Sequence, residues 1–307
     1  MKILLKLTLT LVLSLSMYAS HAFNPTSKPI NVIIPFSPGG SVDAAFVHLQ
    51  KYAAERKITL VPVFNPGAEG IIGTRNLVKS APDGYTIGIT LAAVLGLYEY
   101  ENKSLDLTVL TGLRNNIMVM VSNPAKFSHP LSTIDTIVKD NTSINFGYGS
   151  PSHKVIYEQY FKFVDAKKGQ TMVPYKGGSK VISDLMGGHV DIGILPLTLI
   201  KSQVDAESLK LVAIAVNTDY AEYKDVPRLG KIYSGWKNFD GVIAVAPDNL
   251  NMDAKVFWDK FLHGYLNDKR VQREFLEDST TAMKFGPQYI MGSIINNVNS
   301  LLETGKK

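Results

Sequence analysis

The chain has 307 residues, 45% of them hydrophobic, with 32 Lys and Arg against 27 Asp and Glu and no cysteine. That composition excludes long disorder, collagen and coiled coil, while a length near 300 predicts two domains. The missing cysteine excludes a disulfide scaffold, a zinc–thiolate site, a cysteine nucleophile and a lipid-modified N-terminal cysteine; the net charge of +5, spread along the chain, argues against nucleic-acid binding.

Residues 1–22 have the pattern of a secretory signal peptide. Lys2 and Lys6 give a positive start, 3–17 is dominated by Leu, Val and Ile, and Ser20-His21-Ala22 suits cleavage after Ala22. The apolar run is short of the ~20 residues that span a bilayer, and no stop-transfer pattern follows.

Strand and helix patterns then alternate. Residues 30–35 predict a β-branched first strand, broken by Phe36-Ser37-Pro38-Gly39-Gly40. Residues 41–57 predict a helix with Ala45, Phe46, Leu49 and Ala53 on one face. A second strand is expected at 59–64, a loop at Asn65-Pro66-Gly67-Ala68-Glu69-Gly70, a helix at 71–79, a turn at Pro82-Asp83-Gly84 and a strand at 85–90. The second half repeats the logic. Strand 143–147 leads through Gly149-Ser150-Pro151-Ser152 into a helix to 164, and strand 171–175 leads through Lys176-Gly177-Gly178-Ser179 into a helix to 186. Strands follow at 190–195 and 209–217, and amphipathic helices at 253–266 and 287–302. This order predicts the α/β class, with parallel sheets flanked by helices.

Three loops share one arrangement: a strand ends, glycine and small polar residues follow, and a helix begins. In open α/β sheets ligands sit at the carboxyl ends of strands. A helix N-terminus offers unpaired N–H groups and partial positive charge to an anion. Pro38-Gly39-Gly40-Ser41, Ser150-Pro151-Ser152-His153 and Lys176-Gly177-Gly178-Ser179 are therefore candidate anion sites, the alternative being ordinary αβ loops with N-caps. Two such loops in opposite halves favour a cleft that grips an anion from both sides. His153 stands beside a helix start, as ligand contact or as cap. Asp43 lies in the first turn of its helix, where the dipole favours a carboxylate with or without a ligand. Asp191 either faces the cleft or holds the turn before it.

Enzyme patterns are missing. No G-x-S-x-G, H-E-x-x-H or G-x-x-x-x-G-K-[ST] occurs, no two histidines have metal-ligand spacing, and Gly67, Gly70 and Gly73 miss the G-x-G-x-x-G pattern. No catalytic residue, cofactor or metal is expected.

A set of motifs in register resembles a known family. These are Pro35-Phe36-Ser37-Pro38-Gly39-Gly40-Ser41-Val42-Asp43, Asn65-Pro66-Gly67-Ala68-Glu69-Gly70, Pro82-Asp83-Gly84-Tyr85-Thr86 and Gly147-Tyr148-Gly149-Ser150-Pro151-Ser152-His153. Val173-Pro174-Tyr175-Lys176-Gly177-Gly178 with Asp184-Leu185-Met186-Gly187-Gly188-His189-Val190-Asp191 is the most specific pair; Asp225-Val226-Pro227 and Ala246-Pro247 complete it. Together they resemble the tripartite tricarboxylate transporter receptors, the Bug proteins, over nearly all of 23–307.

The resemblance implies a two-lobed periplasmic binding protein of Venus-flytrap form, each lobe a mainly parallel sheet with flanking helices. Residues 23–121 plus 242–307 would form lobe one and 122–241 lobe two. It implies a receptor that takes a small organic carboxylate or amino acid and hands it to the permease of a tripartite tricarboxylate-type transporter; the leader and the missing cysteine place it free in the periplasm, and a monomer is expected. The alternatives are an orphan receptor signalling to a membrane sensor kinase and a secreted α/β enzyme. Carried over, the family pattern assigns one ligand carboxylate to Gly39, Gly40 and Ser41 and to Gly149, Ser150, Ser152 and His153. Asp43, Gly67, Ala68, Thr90, Ala92 and Asp191 would shape the remainder. The sequence departs from the pattern at Glu69, where a small residue is usual and where an acid disfavours a second carboxylate or favours an amine. It departs also at Pro151, at Arg228 and at Phe239-Asp240-Gly241, which replaces a tryptophan.

Overall fold

The apolar run at 30–34 forms β1 (Ile30–Ile34), buried except at Asn31. In this computed structural model, residues 23–102, 106–140, 143–166, 170–215, 223–234, 236, 241–278, 280–283, 286–288 and 290–292 are described. The expected signal peptide at 1–22 and most of the expected helix at 287–302 lie outside them.

β1 pairs in parallel with β2 (Leu60–Phe64) and β3 (Thr86–Leu91). Helices α1 (Ser41–Ala54) and α2 (Ile71–Val78) make the crossovers that parallel strands need. Ala45, Phe46, Leu49 and Ala53 of α1 are buried, which is the face read from the sequence. Pro62 is accommodated because β2 is the sheet edge, where a missing N–H costs no ladder bond.

The chain then runs through α3 (Ala92–Asn102) into β4 (Leu107–Asn115) and β5 (Met118–Ser122), followed by α4 (Leu131–Lys139). The sequence patterns assign no element to 92–142. β5 is buried at every position and β4 breaks strict alternation, so neither shows a clean period of two. β4 belongs to the first sheet and β5 to the second. The chain therefore crosses between lobes at 116–117. The expected boundary after 121 cuts β5, all five residues of which pair in the second sheet.

The second lobe continues with β6 (Asn145–Tyr148), α5 (Pro151–Phe163), β7 (Thr171–Pro174), α6 (Gly178–Gly187), β8 (Ile192–Pro196), α7 (Leu197–Asp205), β9 (Lys210–Ile214) and α8 (Leu229–Ile232). Its strand order is β7-β6-β8-β5-β9. The chain returns to lobe one as β10 (Gly241–Pro247), followed by α9 (Met252–Asn267), α10 (Lys269–Glu277) and β11 (Thr281–Ala282). The first sheet has the order β11-β4-β10-β3-β1-β2.

Both sheets are mixed. The parallel character read from the sequence holds for β1, β2 and β3 in one and for β6, β7 and β8 in the other. β5 and β10 run antiparallel to their neighbours, since each enters its sheet from the other lobe. Met118 at the start of β5 pairs with Pro196 at the end of β8, and Val242 near the start of β10 pairs with Leu91 at the end of β3. Both crossings thus enter at the ends where the parallel strands finish.

The first sheet has a core on each face. One contains Ile30, Val32, Phe46 and Leu49 with Trp258, Phe261, Leu262 and Tyr265, the i, i+3, i+4, i+7 stripe of α9. The other contains Ile33, Leu77, Leu95 and Val245. The second lobe packs β5 against Phe146, Tyr157, Ile192 and Ile194. Among the described residues no helix is long and apolar enough to cross a membrane.

Candidate functional site

The helices that follow β1, β6 and β7 begin at one place. Gly40, Ser41 and Val42 from the first lobe and Gly149, Ser150, His153, Gly177 and Gly178 from the second line a single crevice, walled by Phe36, Leu91, Pro196 and Leu199. Its free volume is about 20 Å³, room for one water-sized group. Phe36 and Gly149 also border an adjoining space of about 190 Å³, lined further by Gly67, Ala68, Glu69, Tyr175 and Lys176. The lobes touch beside it: the Ser37 N–H and hydroxyl donate to the Lys176 carbonyl at 3.4 and 3.3 Å.

No side chain caps α1, α5 or α6 at their N-termini. By contrast, the Asn251 and Asp268 side chains accept N–H groups at the starts of α9 and α10. Among the described residues the first-turn N–H groups at the crevice have no side-chain acceptor, and three helix dipoles of the same sign back them. Pro151 takes the first position of α5, where a helix loses nothing by lacking an N–H.

His153 is 3% exposed. Its Nδ1 accepts the Gly149 N–H at 3.3 Å. Burial pulls the ring down to about 3, so it is neutral at pH 7 and Nε2 carries its proton. The crevice thus has a neutral ring donor beside the helix ends. The Ser150 and Ser152 hydroxyls lie 2.9 Å apart, both buried.

The profile of the tripartite tricarboxylate transporter family receptor matches residues 51–257. The chain belongs to that family. This receptor is 26% identical over 301 residues to Protein BugT of Bordetella pertussis, across 92% of this chain and 90% of BugT. Among solved structures it resembles MatC from Rhodopseudomonas palustris with bound malate, at TM-score 0.80 and 16% identity, covering 89% of this chain and 99% of MatC. It also resembles R. palustris Rpa4515 with adipate, at TM-score 0.80 and 14% identity, covering 92% and 98%. These likenesses show the two-lobed periplasmic binding protein fold. The family is one of solute receptors, not enzymes.

The receptor's expected site residues divide into three groups. Gly40, Ser41, Gly149, Ser150 and His153 meet at the crevice, and Ser152 joins them through Ser150. Gly67 and Ala68 border the wider space. The rest lie elsewhere. Asp43 Oδ2 accepts the Gly39 N–H at 2.7 Å, so this pair closes the β1–α1 turn on itself. Thr90 points to the other face of the first sheet, into a small cavity with Ile33, Leu77 and Val245. Ala92 is buried in the core on that face. Leu91 reaches the crevice instead, because successive strand residues face opposite ways. Asp191 stands at the start of β8, whereas the crevice lies at its end, five residues or about 16 Å away. Its carboxylate accepts the Asn145 N–H at 2.8 Å and its N–H donates to the Asn145 carbonyl, which ties the starts of β6 and β8 together.

Sequence reasoning misses Phe36, Leu91, Pro196 and Leu199, apolar walls that carry no chemical signal. It also misses Arg114 of β4, wholly buried behind α1, whose Nη2 donates to the Ser41 carbonyl at 2.6 Å. Burial pulls this guanidinium down and the Asp278 carboxylate opposes the shift. Its charge adds to the positive end of α1. A single arginine in an otherwise apolar and Thr-rich strand is the signal that marks it. Arg228 is also buried, but it donates to the Lys224 and Val226 carbonyls of its own turn. Among the described residues no group of three metal-ligating side chains occurs.

Proposed function

We propose that this receptor binds a small organic acid between its lobes, with one carboxylate seated in the crevice where α1, α5 and α6 begin. The observation that carries this reading is the convergence of three uncapped helix N-termini, drawn from both lobes, on one crevice. The His153 Nε2–H and the buried Arg114 add to the same potential. The acids named with the two R. palustris proteins, malate and adipate, support the class.

A carboxylate that takes donors from both lobes favours the closed arrangement over the open one, since only closure brings both sets to bear. The crossing at 116–117 is the natural hinge. In this reading the chain is exported, cleaved after Ala22 and delivers its ligand in the periplasm to a tripartite tricarboxylate-type permease. A thermal-shift panel of mono-, di- and tricarboxylates, amino acids and neutral analogues tests it. At a ligand concentration of 100 Kd, binding adds about 2.7 kcal/mol of stability. At least one acid should raise the melting temperature; stabilisation by neutral solutes alone would overturn the proposal.

A further inference from the structure

Resting on the reading of the crevice as a carboxylate seat, we infer that the adjoining space is an ammonium subsite built on Glu69. The preferred ligand is then a small acid that also carries an amine, rather than a dicarboxylate.

Glu69 lines the wider space and is half-buried. No ion pair to Glu69 occurs among the described residues. Tyr148, buried in the second lobe, is a neutral neighbour: burial first and the Glu69 charge second push its hydroxyl up to about 12. Glu158 of α5 is raised chiefly by burial; Lys154, its ion-pair partner at 4.0 Å, opposes that shift and Glu69 adds to it. Lys176 also borders the space, but its side chain is exposed, where solvent and salt screen it. A second ligand carboxylate placed here would face a half-buried like charge; an ammonium would supply the missing partner.

The backbone shows what it takes to hold the acid there. Four successive residues have positive φ: Gly67 at 134°, Ala68 at 44°, Glu69 at 55° and Gly70 at 98°. Glycine tolerates this region, but Ala68 and Glu69 are strained in it. Strain held at a cleft wall is common where a side chain must be aimed.

The test uses three ligand series with chains of three to six carbons: ω-amino acids, dicarboxylates and monocarboxylates. Calorimetry on the wild-type receptor should show the amino acid binding on the order of tenfold tighter than the dicarboxylate of equal length. Glu69→Gln keeps the shape and removes the charge, so that ratio should fall to parity or reverse while monocarboxylate affinity stays within about threefold. Glu69→Gly, which suits the local φ, gives a second variant with the same expected loss should Gln disturb folding. A wild-type preference for the dicarboxylate, or an unchanged ratio in both variants, would overturn the inference and leave the carboxylate seat standing. Binding by none of the three series would refute the seat itself, and the subsite with it.

Discussion

Gly149 sits where two loops of the second lobe touch, and it offers the sharpest mechanical test of the crevice. A Cβ added there would stand 2.5 Å from the Gly177 carbonyl carbon, 2.7 Å from the Gly178 nitrogen and 2.8 Å from the Gly177 oxygen. All three are backbone atoms, so no rotamer change relieves the overlap. Ordinary contact begins at 3.4 Å, so Gly149→Ala must part the loops by about 0.9 Å. A shift of that size stretches a ~2.9 Å N–H···O bond to about 3.8 Å, beyond hydrogen-bond range. A carboxylate bridging α5 and α6 then loses at least one charged hydrogen bond, about 1.5–3 kcal/mol or roughly 10–150-fold in Kd. The overpacking itself costs roughly 1–3 kcal/mol of folding stability. Calorimetry reads the first effect and denaturant melts the second. Gly264→Ala in α9, whose Cβ meets only the Tyr52 hydroxyl at 2.9 Å, is the control. A Gly149→Ala protein that binds within threefold of wild type would refute the bridging geometry.

Five further residues give expected outcomes. His153 titrates near 3 in the folded chain against 6.5 unfolded; its contribution is present above pH 6.5 and is lost as pH falls, by roughly 1.4 kcal/mol per unit. Urea melts from pH 7 to pH 4 should show that loss, and His153→Gln should remove it; an equal slope in both proteins would count against the neutral ring. His48 has the opposite sign. It is bonded to Asp278 at 2.7 Å and to Glu274 at 3.1 Å, and Asp278 chiefly holds its pKa above 6.5. Its contribution is full below pH 6.5 and is lost as pH rises through the raised value, so His48→Gln should flatten the alkaline side of the melting profile. Asp278 and Glu274 are lowered, by His48 and Lys51 respectively, so their share is lost on acidification. Trp258 is fully buried and its Nε1 donates to the Gly84 carbonyl at 3.2 Å; Trp258→Ala should cost about 3–5 kcal/mol in denaturant melts and leave Kd unchanged.

The βαβ parts of both lobes are legible in the sequence because glycine-rich breaks punctuate clear periods. β1 and α1 are read to within a few residues, as the buried face of Ala45, Phe46, Leu49 and Ala53 shows. The crossing strands are not legible. β5 and β10 are buried at every position, and burial on both faces erases alternation. The same distinction runs through the site. Gly40, Ser41, Gly149, Ser150 and His153, read from the chemistry of helix N-termini, come together in one crevice. Thr90 and Asp191 lie away from the crevice because strand direction and facing, not residue type, decide where they point. Leu91 and Leu199 are invisible beforehand, since an apolar wall looks like any core residue.

The proposed seat requires that the crevice recognise a carboxylate by its charge. Titration calorimetry of one acid against its primary amide, equal in shape and neutral, tests that most directly. The acid should bind one-to-one, with the amide weaker on the order of a hundredfold, because a neutral oxygen takes far less from three helix ends and a ring N–H. Equal affinities for acid and amide would contradict the account.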